Sequence, residues 1–281
     1  MDTHPLVFSS GLVDLVPKGM VAAGWAVDIN VDRAIVGSLS PGFLADSKAF
    51  RLQGGALDFL PDLGGPSYAF HLNDPGAIVG VAYDTNEFAH AVEWRGGVLV
   101  NLESLRAGTQ AFAIDINNHG FVVGTSSDTL GVNRPVAWAN GRIEDLGTAD
   151  PDTDWGVAHA VNDHGRIVGE SAYIDSTGYH GVATLWRRDG TVRSLGVLNA
   201  APSIAYDVND HGQVVGQSDV SSGRGRAVLW LNGSIFDLND LIDGQSGWEL
   251  NEARGINDRG QIVGTGLCPC GGQRGFLLTP M

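Results

Sequence analysis

The chain has 281 residues, of which 40 are glycine, and 43% of the residues are hydrophobic. So much glycine without a collagen triplet indicates tight turns between short strands, and the hydrophobic fraction excludes a disordered chain. The formal net charge is -15, and Lys18 and Lys48 are the only lysines. This charge argues against nucleic acid and against an anionic membrane surface as partners.

No segment has the features of a signal peptide or a membrane span. The N-terminal segment MDTHPLVFSSGLVDLVPKG lacks a basic stretch followed by a long apolar one, and no later apolar run is long enough to cross a bilayer. Cys268 and Cys270, in GLCPCGG, are the only cysteines, which excludes a disulfide framework and agrees with a reducing compartment. A single C-x-C is weak evidence for a metal site. We expect a soluble, cytoplasmic protein.

One phrase occurs six times along the chain. The copies are AVDINVDRAIVG from Ala26, AFHLNDPGAIVG from Ala69, AIDINNHGFVVG from Ala113, AHAVNDHGRIVG from Ala158, AYDVNDHGQVVG from Ala205 and ARGINDRGQIVG from Ala253. The spacing of their asparagines increases from 43 to 48 residues, and these are Asn30, Asn73, Asn117, Asn162, Asn209 and Asn257. A second phrase, such as VLWLNGSIFDLN, follows each of the first five copies. Repeats that fill a chain predict an array of equivalent structural units.

Each unit predicts four short antiparallel strands. A-x-x-I-N predicts the first strand, N-D-x-G a turn, and x-I-V-G the start of the return strand. In the second phrase, A-V-L-W and S-I-F-D-L predict two further strands joined by the turn L-N-G. Four strands in about 45 residues have the size of one propeller blade. The sequence therefore predicts an all-β fold, with residues 1–281 forming a single six-bladed β-propeller domain of four-stranded antiparallel blades.

The two ends of the chain carry incomplete units. The chain begins with PLVFSSGLVDL, the second half of a unit, and ends with ARGINDRGQIVGTG and RGFLLTP, a first half and a third strand. We expect an N-terminal strand to complete the last blade, because this pairing would remove an open sheet edge. PLVF and RGFLL are competing versions of one strand, so the identity of the closing strand stays open.

The two phrases together resemble a known repeat. A-x-x-[IV]-N-x-x-G-x-[IV]-V-G followed by A-x-x-W-x-x-G-x-x-x-D-L is similar to the bacterial HAF repeat, also called the extracellular repeat. The resemblance covers nearly the whole chain and implies a β-propeller. Arg33 departs from it by replacing the turn glycine of the first copy, and no export signal accompanies the repeats.

Loop lengths indicate which end of the propeller carries function. The turns within the two phrases are short and uniform and lie at one end, whereas the connections at the other end vary freely in length and sequence. Because function on a rigid scaffold concentrates in variable loops, we assign the site to the loop-rich end, where the inner strands begin. The candidate catalytic residues there are His159, Tyr206, Glu252 and Arg254. The candidate substrate-binding residues are Trp25, Tyr68, Phe70, Phe112, Asp115, Trp155, Asp207 and Trp248.

Other recurring residues have structural explanations. The repeat alanines suit strands that converge, and the six asparagines form turns. Asp28, Asp115 and Asp207 also fit a structural role, in which they would bond neighbouring strand ends. The turn histidines His119, His164 and His211 belong to different blades, so a metal ion bound by all three is implausible. We predict no metal and no cofactor.

Two functions remain open at this stage. The first is a non-redox cyclase that closes a ring, by a pericyclic reaction or a conjugate addition, in a bulky, largely apolar small molecule held in the central channel. Such chemistry needs mainly preorganisation and a few polar groups. It is similar to what stand-alone propellers do in bacterial polyketide pathways. The alternative is a non-catalytic propeller that binds a glycan or a protein through its loop-rich face. The substrate and the oligomeric state stay undetermined.

Overall fold

A computed structural model describes residues 6–8, 12–14, 23–40, 46–107, 109–149, 155–176, 178–199, 202–220 and 225–280. The chain divides into two compact units, Met1–Gly131 with Trp138–Glu144, and Val132–Ala137 with Asp145–Met281. Parts of the connections that we assigned to the loop-rich end, including residues 15–22, 41–45, 151–154 and 221–224, lie outside the described residues. A single domain over residues 1–281 stays a prediction.

The described strands are short and follow one another closely along the chain. The first fourteen are β1 (Leu6–Phe8), β2 (Leu12–Asp14), β3 (Ala23–Ile29), β4 (Ile35–Ser40), β5 (Lys48–Gln53), β6 (Ala56–Phe59), β7 (Gly64–Leu72), β8 (Ile78–Asp84), β9 (Ala89–Arg95), β10 (Val98–Asn101), β11 (Ala111–Ile116), β12 (Val122–Ser127), β13 (Asn133–Ala139) and β14 (Arg142–Asp145). The remaining strands are β15 (Trp155–Val161), β16 (Arg166–Asp175), β17 (Gly178–Arg187), β18 (Val192–Ser194), β19 (Ser203–Val208), β20 (Val214–Asp219), β21 (Gly225–Leu231), β22 (Ser234–Asp237), β23 (Glu249–Ile256), β24 (Ile262–Leu267) and β25 (Gln273–Leu278). A 3-10 turn, Leu238–Asp240, follows β22.

The strands pair in sequence order. In the described residues, β3–β6, β7–β10, β11–β14, β15–β18 and β19–β22 each form a four-stranded sheet, and β23–β25 form a three-stranded one. Neighbouring strands are antiparallel, as in β7 with β8 and β16 with β17. This succession of meander sheets is the predicted all-β, six-bladed β-propeller fold.

In the described part of the chain, the last sheet lacks the N-terminal strand that was predicted to complete it. Within the described residues it contains β23, β24 and β25, while β1 and β2 form a two-stranded sheet of their own. The pairing of Leu6 with Asp14 and of Phe8 with Leu12 explains the difference. Two strands separated by a few residues satisfy each other's backbone groups at a small loop-closure cost, whereas pairing with the far end of the chain closes a much longer loop.

The repeat asparagines form the turns, as predicted, and also join successive repeats. The side-chain oxygen of Asn162 accepts hydrogen bonds from the backbone N–H groups of His164 and Arg166, at 3.1 and 2.9 Å. Its Nδ2 donates to the carbonyl of Asn209 in the next repeat at 2.9 Å. Asn209 donates in the same way to the carbonyl of Asn257 at 3.0 Å. One side chain thus stabilises two turns, which accounts for its presence in every copy.

The repeat glycines are required by a bulge in the first strand of each sheet. The pairing register shifts at one equivalent place in the six inner strand pairs, for example between Ala158 and Ala160. There the backbones approach so closely that a Cβ on Gly169 would lie 2.0 Å from the carbonyl oxygen of Val157. Because only glycine fits opposite the bulge, the I-V-G ending of the phrase is a steric requirement.

The hydrophobic core lies between successive sheets within each unit. In the second unit, Val168 and Leu185 pack against Val214 and Trp230 of the following sheet. The tryptophan of the second phrase is buried in the sheets where it occurs. The indole N–H of Trp186 also donates to a backbone carbonyl, that of Gly147, at 2.8 Å. Apolar burial and this hydrogen bond together fix the spacing of neighbouring sheets.

Two further findings concern the cysteines and the helices. The sulfur atoms of Cys268 and Cys270 are joined in a disulfide, which the sequence analysis did not anticipate for this pair. The bond connects residues on the two sides of Pro269, in the tight connection between β24 and β25. Within the described ranges, no helix has the length and apolar character needed to cross a bilayer.

Candidate functional site

The bulges place three of the four candidate catalytic residues in equivalent positions. In β15, β19 and β23, His159, Tyr206 and Arg254 are the extra residues at which the register shifts. A bulge redirects the side chain of its extra residue out of the regular alternation of the strand. In the second unit, these three side chains come together.

A buried carboxylate holds the first part of this cluster. Glu170, on β16, is 6% exposed, and its Oε1 lies 3.5 Å from Nε2 of His159. Its second carboxylate oxygen accepts a short hydrogen bond from the hydroxyl of Tyr179. The ring of Trp155 meets that of Tyr179 edge-on, with 6.5 Å between centroids. With Nε2 facing the carboxylate, Nδ1 of His159 makes no hydrogen bond to any described residue.

Tyr206 connects this group to an arginine. Its ring meets the His159 ring at an angle of 61°, with 6.0 Å between centroids. The guanidinium of Arg254 lies over the same ring, 4.1 Å from its centroid, in a cation–π contact. Nε of Arg254 donates to Glu252 at 2.5 Å. The hydroxyl of Tyr206 points to Oε1 of Gln217, 3.5 Å away. The four candidate catalytic residues therefore belong to one connected cluster.

The environment of the cluster keeps its tyrosines protonated. Burial raises the pKa of Tyr179 well above its ordinary value, and the hydrogen bond to Glu170 raises it further. Burial likewise raises the pKa of Tyr206, an effect that Arg254 opposes and that Glu252 reinforces. Both phenols are therefore hydrogen-bond donors at neutral pH, not phenolates.

Replacing Tyr179 with phenylalanine is expected to make the free energy of unfolding vary less with pH in the alkaline range. A phenol whose pKa is raised by folding contributes stability that is complete below the unfolded pKa of about 10 and is lost as the pH rises above it. The variant should be less stable than the wild type at pH 7, and the difference should shrink steadily above pH 10. Urea unfolding at several pH values measures this difference. Tyr173→Phe is the control, because Tyr173 is exposed to the same extent as Tyr179, 39% against 40%, but stacks on His180 and has no hydrogen bond to Glu170. A difference that stays constant with pH would contradict the assignment.

The remaining candidates of the second unit lie at the edge of this cluster or outside it. Trp155 is half-buried beside Tyr179, whereas Trp248 packs against the hydrophobic cluster around Leu250. The carboxylate of Asp207 accepts hydrogen bonds from the backbone N–H groups of Val208 and Ile256, both at 2.7 Å. Asp207 thus bonds the neighbouring inner strand, as the structural alternative predicted.

The candidates of the first unit are dispersed along its sheets. The ring of Tyr68 meets that of Tyr83 edge-on at 6.4 Å, Trp25 is 60% exposed, and Phe70 and Phe112 are half-buried. Asp115 has a polar side-chain partner among the described residues, since its Oδ1 lies 2.9 Å from Nδ1 of His71.

His71 also lies close to Asp28, whose Oδ2 is 3.4 Å from its Nε2. That same oxygen accepts the backbone N–H of Leu72 at 2.9 Å, while Oδ1 accepts the N–H of Ile29 at 2.8 Å. Asp28 therefore bonds the neighbouring inner strand, in the way that Asp207 does in the second unit. These contacts fit the structural role proposed for the aspartates.

Two of the three turn histidines, His164 and His211, lie near carboxylates. Nδ1 of His164 lies 3.6 Å from Asp210, and Nδ1 of His211 lies 3.9 Å from Asp258, in both cases in the turn of the next repeat. Among the residues that the structure describes, no three histidine, cysteine or acidic side chains are grouped so that they could hold a metal ion.

Sequence reasoning missed Glu170, Tyr179 and Gln217. Glu170 and Gln217 follow the invariant glycine of their repeats, and a signal was available in that column. It reads Ser38, Val81, Thr125, Glu170, Gln217 and Thr265. A single ionisable residue in an otherwise small or neutral column marks a departure from the structural pattern. Tyr179 gave no such signal, because it lies in a connection that varies between repeats.

The chain matches one known protein family. Residues 101–274 match a family described as protein of unknown function (DUF3466). The chain belongs to this family. No curated protein matches it in sequence. The HAF-repeat resemblance stays a prediction.

Solved structures show the same fold. The β-propeller domain of the Trilobed protease from Pyrococcus furiosus, reported with an open velcro topology, aligns over 95% of this chain and 82% of its own, with 10% identity and a TM-score of 0.63. A putative TolB from Agrobacterium tumefaciens aligns over 96% of this chain and 94% of its own, with 12% identity and a TM-score of 0.54. At these identities the likeness concerns the propeller fold alone.

Proposed function

We propose that the protein is a non-redox enzyme of cyclase or isomerase type, which acts on a small molecule by acid–base chemistry without a metal or redox cofactor. The observation that carries the proposal is the carboxylate of Glu170, which is shared by His159 and Tyr179. A buried carboxylate that orients an imidazole is a recurrent way to prepare a general base.

His159 has the central role in this proposal. Glu170 holds its Nε2, so Nδ1 is available to take a proton from a hydroxyl or an acidic carbon of the substrate. Glu170 is a positioning residue, because it acts through His159. The contact of the His159 and Tyr206 rings restricts the imidazole on another side. A preoriented base of this kind suits the addition of a hydroxyl to a conjugated carbonyl.

Arg254 and Tyr206 supply the complementary function. Such a ring closure develops negative charge on the carbonyl oxygen, and a guanidinium or a phenol can stabilise that charge. Arg254 is about half exposed and is held over Tyr206 by the cation–π contact and by Glu252. The proton that His159 removes returns to the α-carbon of the same molecule, so the product has the composition of the substrate. We infer a partly aromatic or polyketide-like substrate from the rings of Trp155, Tyr179 and Tyr206.

Replacing Glu170 with glutamine tests the proposal. The wild-type protein, incubated with a small-molecule extract of its source organism, should deplete one compound and form another of identical mass, as followed by liquid chromatography and mass spectrometry. The variant keeps the side-chain volume but loses the charge that orients His159, so its conversion should be slower by about a hundredfold. Glu144→Gln, at an exposed glutamate, is the matched control.

The outcomes separate the possible functions. A product that differs in mass by two hydrogens, or normal conversion by the Glu170→Gln protein, would refute the proposal. A compound that binds but is recovered unchanged would favour the non-catalytic alternative.

One observation favours that alternative, a propeller that binds a glycan or a protein. Strands β16 and β17 extend as a hairpin, and on it Tyr173 stacks on His180 with 4.5 Å between ring centroids. Tyr173 is 39% exposed. Exposed stacked rings are suitable surfaces for sugar rings or for a protein partner.

A further inference from the structure

A cavity of about 320 Å³ lies at the end of the second unit that carries the short, uniform turns. It lies between the sheet β15–β18 and the sheet β19–β22. The turn at His211 and Gly212 and the turn at Asn232 and Gly233 form one side of it. Three arginines, Arg166, Arg187 and Arg193, line the other side.

The three arginines have no carboxylate within ion-pair distance in the described part of the chain. Arg187 follows the tryptophan of its repeat, as Arg95 does in the second sheet. There, Arg95 is paired with Glu93 at 2.5 Å, but the position equivalent to Glu93 is Leu185 beside Arg187. The repeat with this cavity thus lacks the close ion pair that another repeat keeps, and Arg187 is left with a longer-range attraction to Asp189.

The strand register brings the charges together. Arg166 and Arg187 are direct cross-strand partners, and Arg193 is the partner of Leu185 on the adjacent strand. Like charges directly opposite each other destabilise a sheet. In a chain with a net charge of -15, three grouped arginines with no ion pair to a described carboxylate are most simply explained by an anion that binds between them.

The next repeat leaves room for one of these side chains. Gly212, with a φ of +76°, lies directly against the guanidinium of Arg166, and a Cβ at this position would be 1.3 Å from Nη1. The turn glycine therefore allows Arg166 to extend along the cavity wall. Arg166 is half-buried, whereas Arg187 and Arg193 are exposed, so the charges extend from the floor of the cavity to its rim.

A buried hydrogen-bond donor beside the cavity, the indole N–H of Trp230, also supports a bound anion. The indole N–H groups of Trp94, Trp138 and Trp186 donate to backbone carbonyls at 2.7, 2.7 and 2.8 Å. Trp230, which lines the cavity and is 3% exposed, has no such partner for its Nε1 among the described residues. An unpaired buried donor costs about 1–3 kcal/mol, which an acceptor bound nearby would offset.

We propose that this cavity binds a small molecule carrying at least two negative charges on phosphate or carboxylate oxygens. The planar guanidinium groups can each donate two parallel hydrogen bonds to such oxygens. His211 contributes less, because its Nδ1 already lies 3.9 Å from Asp258. The cavity volume suits a metabolite and excludes a macromolecular chain from its interior. The proposal is independent of the acid–base chemistry at His159.

Isothermal titration calorimetry with sodium pyrophosphate and with sodium citrate tests this site in the full-length protein. We expect saturable binding of at least one of the two anions, with an affinity that falls as the sodium chloride concentration rises. Replacing both Arg187 and Arg193 with leucine should weaken that binding by about a hundredfold or more. Because both side chains are exposed, the variant should keep the melting temperature of the wild type.

Arg142→Leu is the matched control, since it removes one exposed arginine on β14, outside the cavity. Preference for pyrophosphate would identify a phosphate ester as the natural ligand class, and preference for citrate a polycarboxylate. Absence of saturable binding of both anions at millimolar concentration would overturn the proposal. So would equal weakening by Arg142→Leu and by the double substitution.

Discussion

Replacing Gly169 with alanine is expected to lower the free energy of unfolding by about 3 kcal/mol or more. The added Cβ would lie 2.0 Å from the carbonyl oxygen of Val157 and 3.0 Å from the backbone nitrogen of His159. Both atoms belong to the backbone, so neither can move aside as the end of a flexible side chain would. The strand pair must separate or lose its bulge, and either change displaces His159 from Glu170.

The measurement is thermal unfolding followed by circular dichroism. For a chain of this size the loss corresponds to a decrease in melting temperature of roughly 6–12 °C. Gly244→Ala is the control, because a Cβ there meets nothing within 4 Å. If the two variants unfold at the same temperature, the close approach of the backbones at the bulge does not determine stability.

Replacing Asn162 with alanine is expected to be comparably destabilising, by about 3 kcal/mol. The substitution removes the acceptor of two backbone N–H groups in its own turn and the donor to the carbonyl of Asn209. Asn162 is 5% exposed, so water cannot readily replace these bonds. The loss affects two successive repeats at once, because one side chain bonds both turns.

Urea unfolding of the purified variant checks this expectation. Asn86→Ala is the appropriate control, since Asn86 is exposed and its side chain makes no hydrogen bond among the described residues. An unfolding midpoint for Asn162→Ala equal to that of the control would show that the bonds between successive turns contribute little. In that case the recurrence of asparagine would reflect the conformation of the individual turn alone.

The fold was predictable because its determinants are local. An asparagine followed three residues later by glycine specifies a turn, and alternation of apolar residues specifies the flanking strands. Six copies in order then leave few architectures that bury all the apolar faces. Closure of the last blade was not predictable in this way. It depends on which of several similar strands pairs with which, and β1 pairs with β2 in the structure.

The candidate site was predictable in part. The position after each repeat alanine drew attention to His159, Tyr206 and Arg254, and these residues belong to one cluster in the second unit. Glu170 is the one ionisable residue in its column of the repeat, but that departure does not by itself show that the carboxylate contacts His159 and Tyr179. The arginine cavity could not be predicted either, because Arg166, Arg187 and Arg193 come from three strands of one sheet. They meet the turns of the next sheet only after the chain has folded.

The repeat, the order of the strands within each blade and the residues of the turns can all be inferred from the amino-acid sequence of this protein. These follow from backbone conformation and from apolar periodicity, which act over a few residues. The contacts between polar side chains, in contrast, depend on how the strands and sheets pack. The bulge at His159 brings it to Glu170, and packing of successive sheets brings Arg254 over Tyr206. Such contacts depend on distances between strands that are far apart along the chain, which no local pattern encodes.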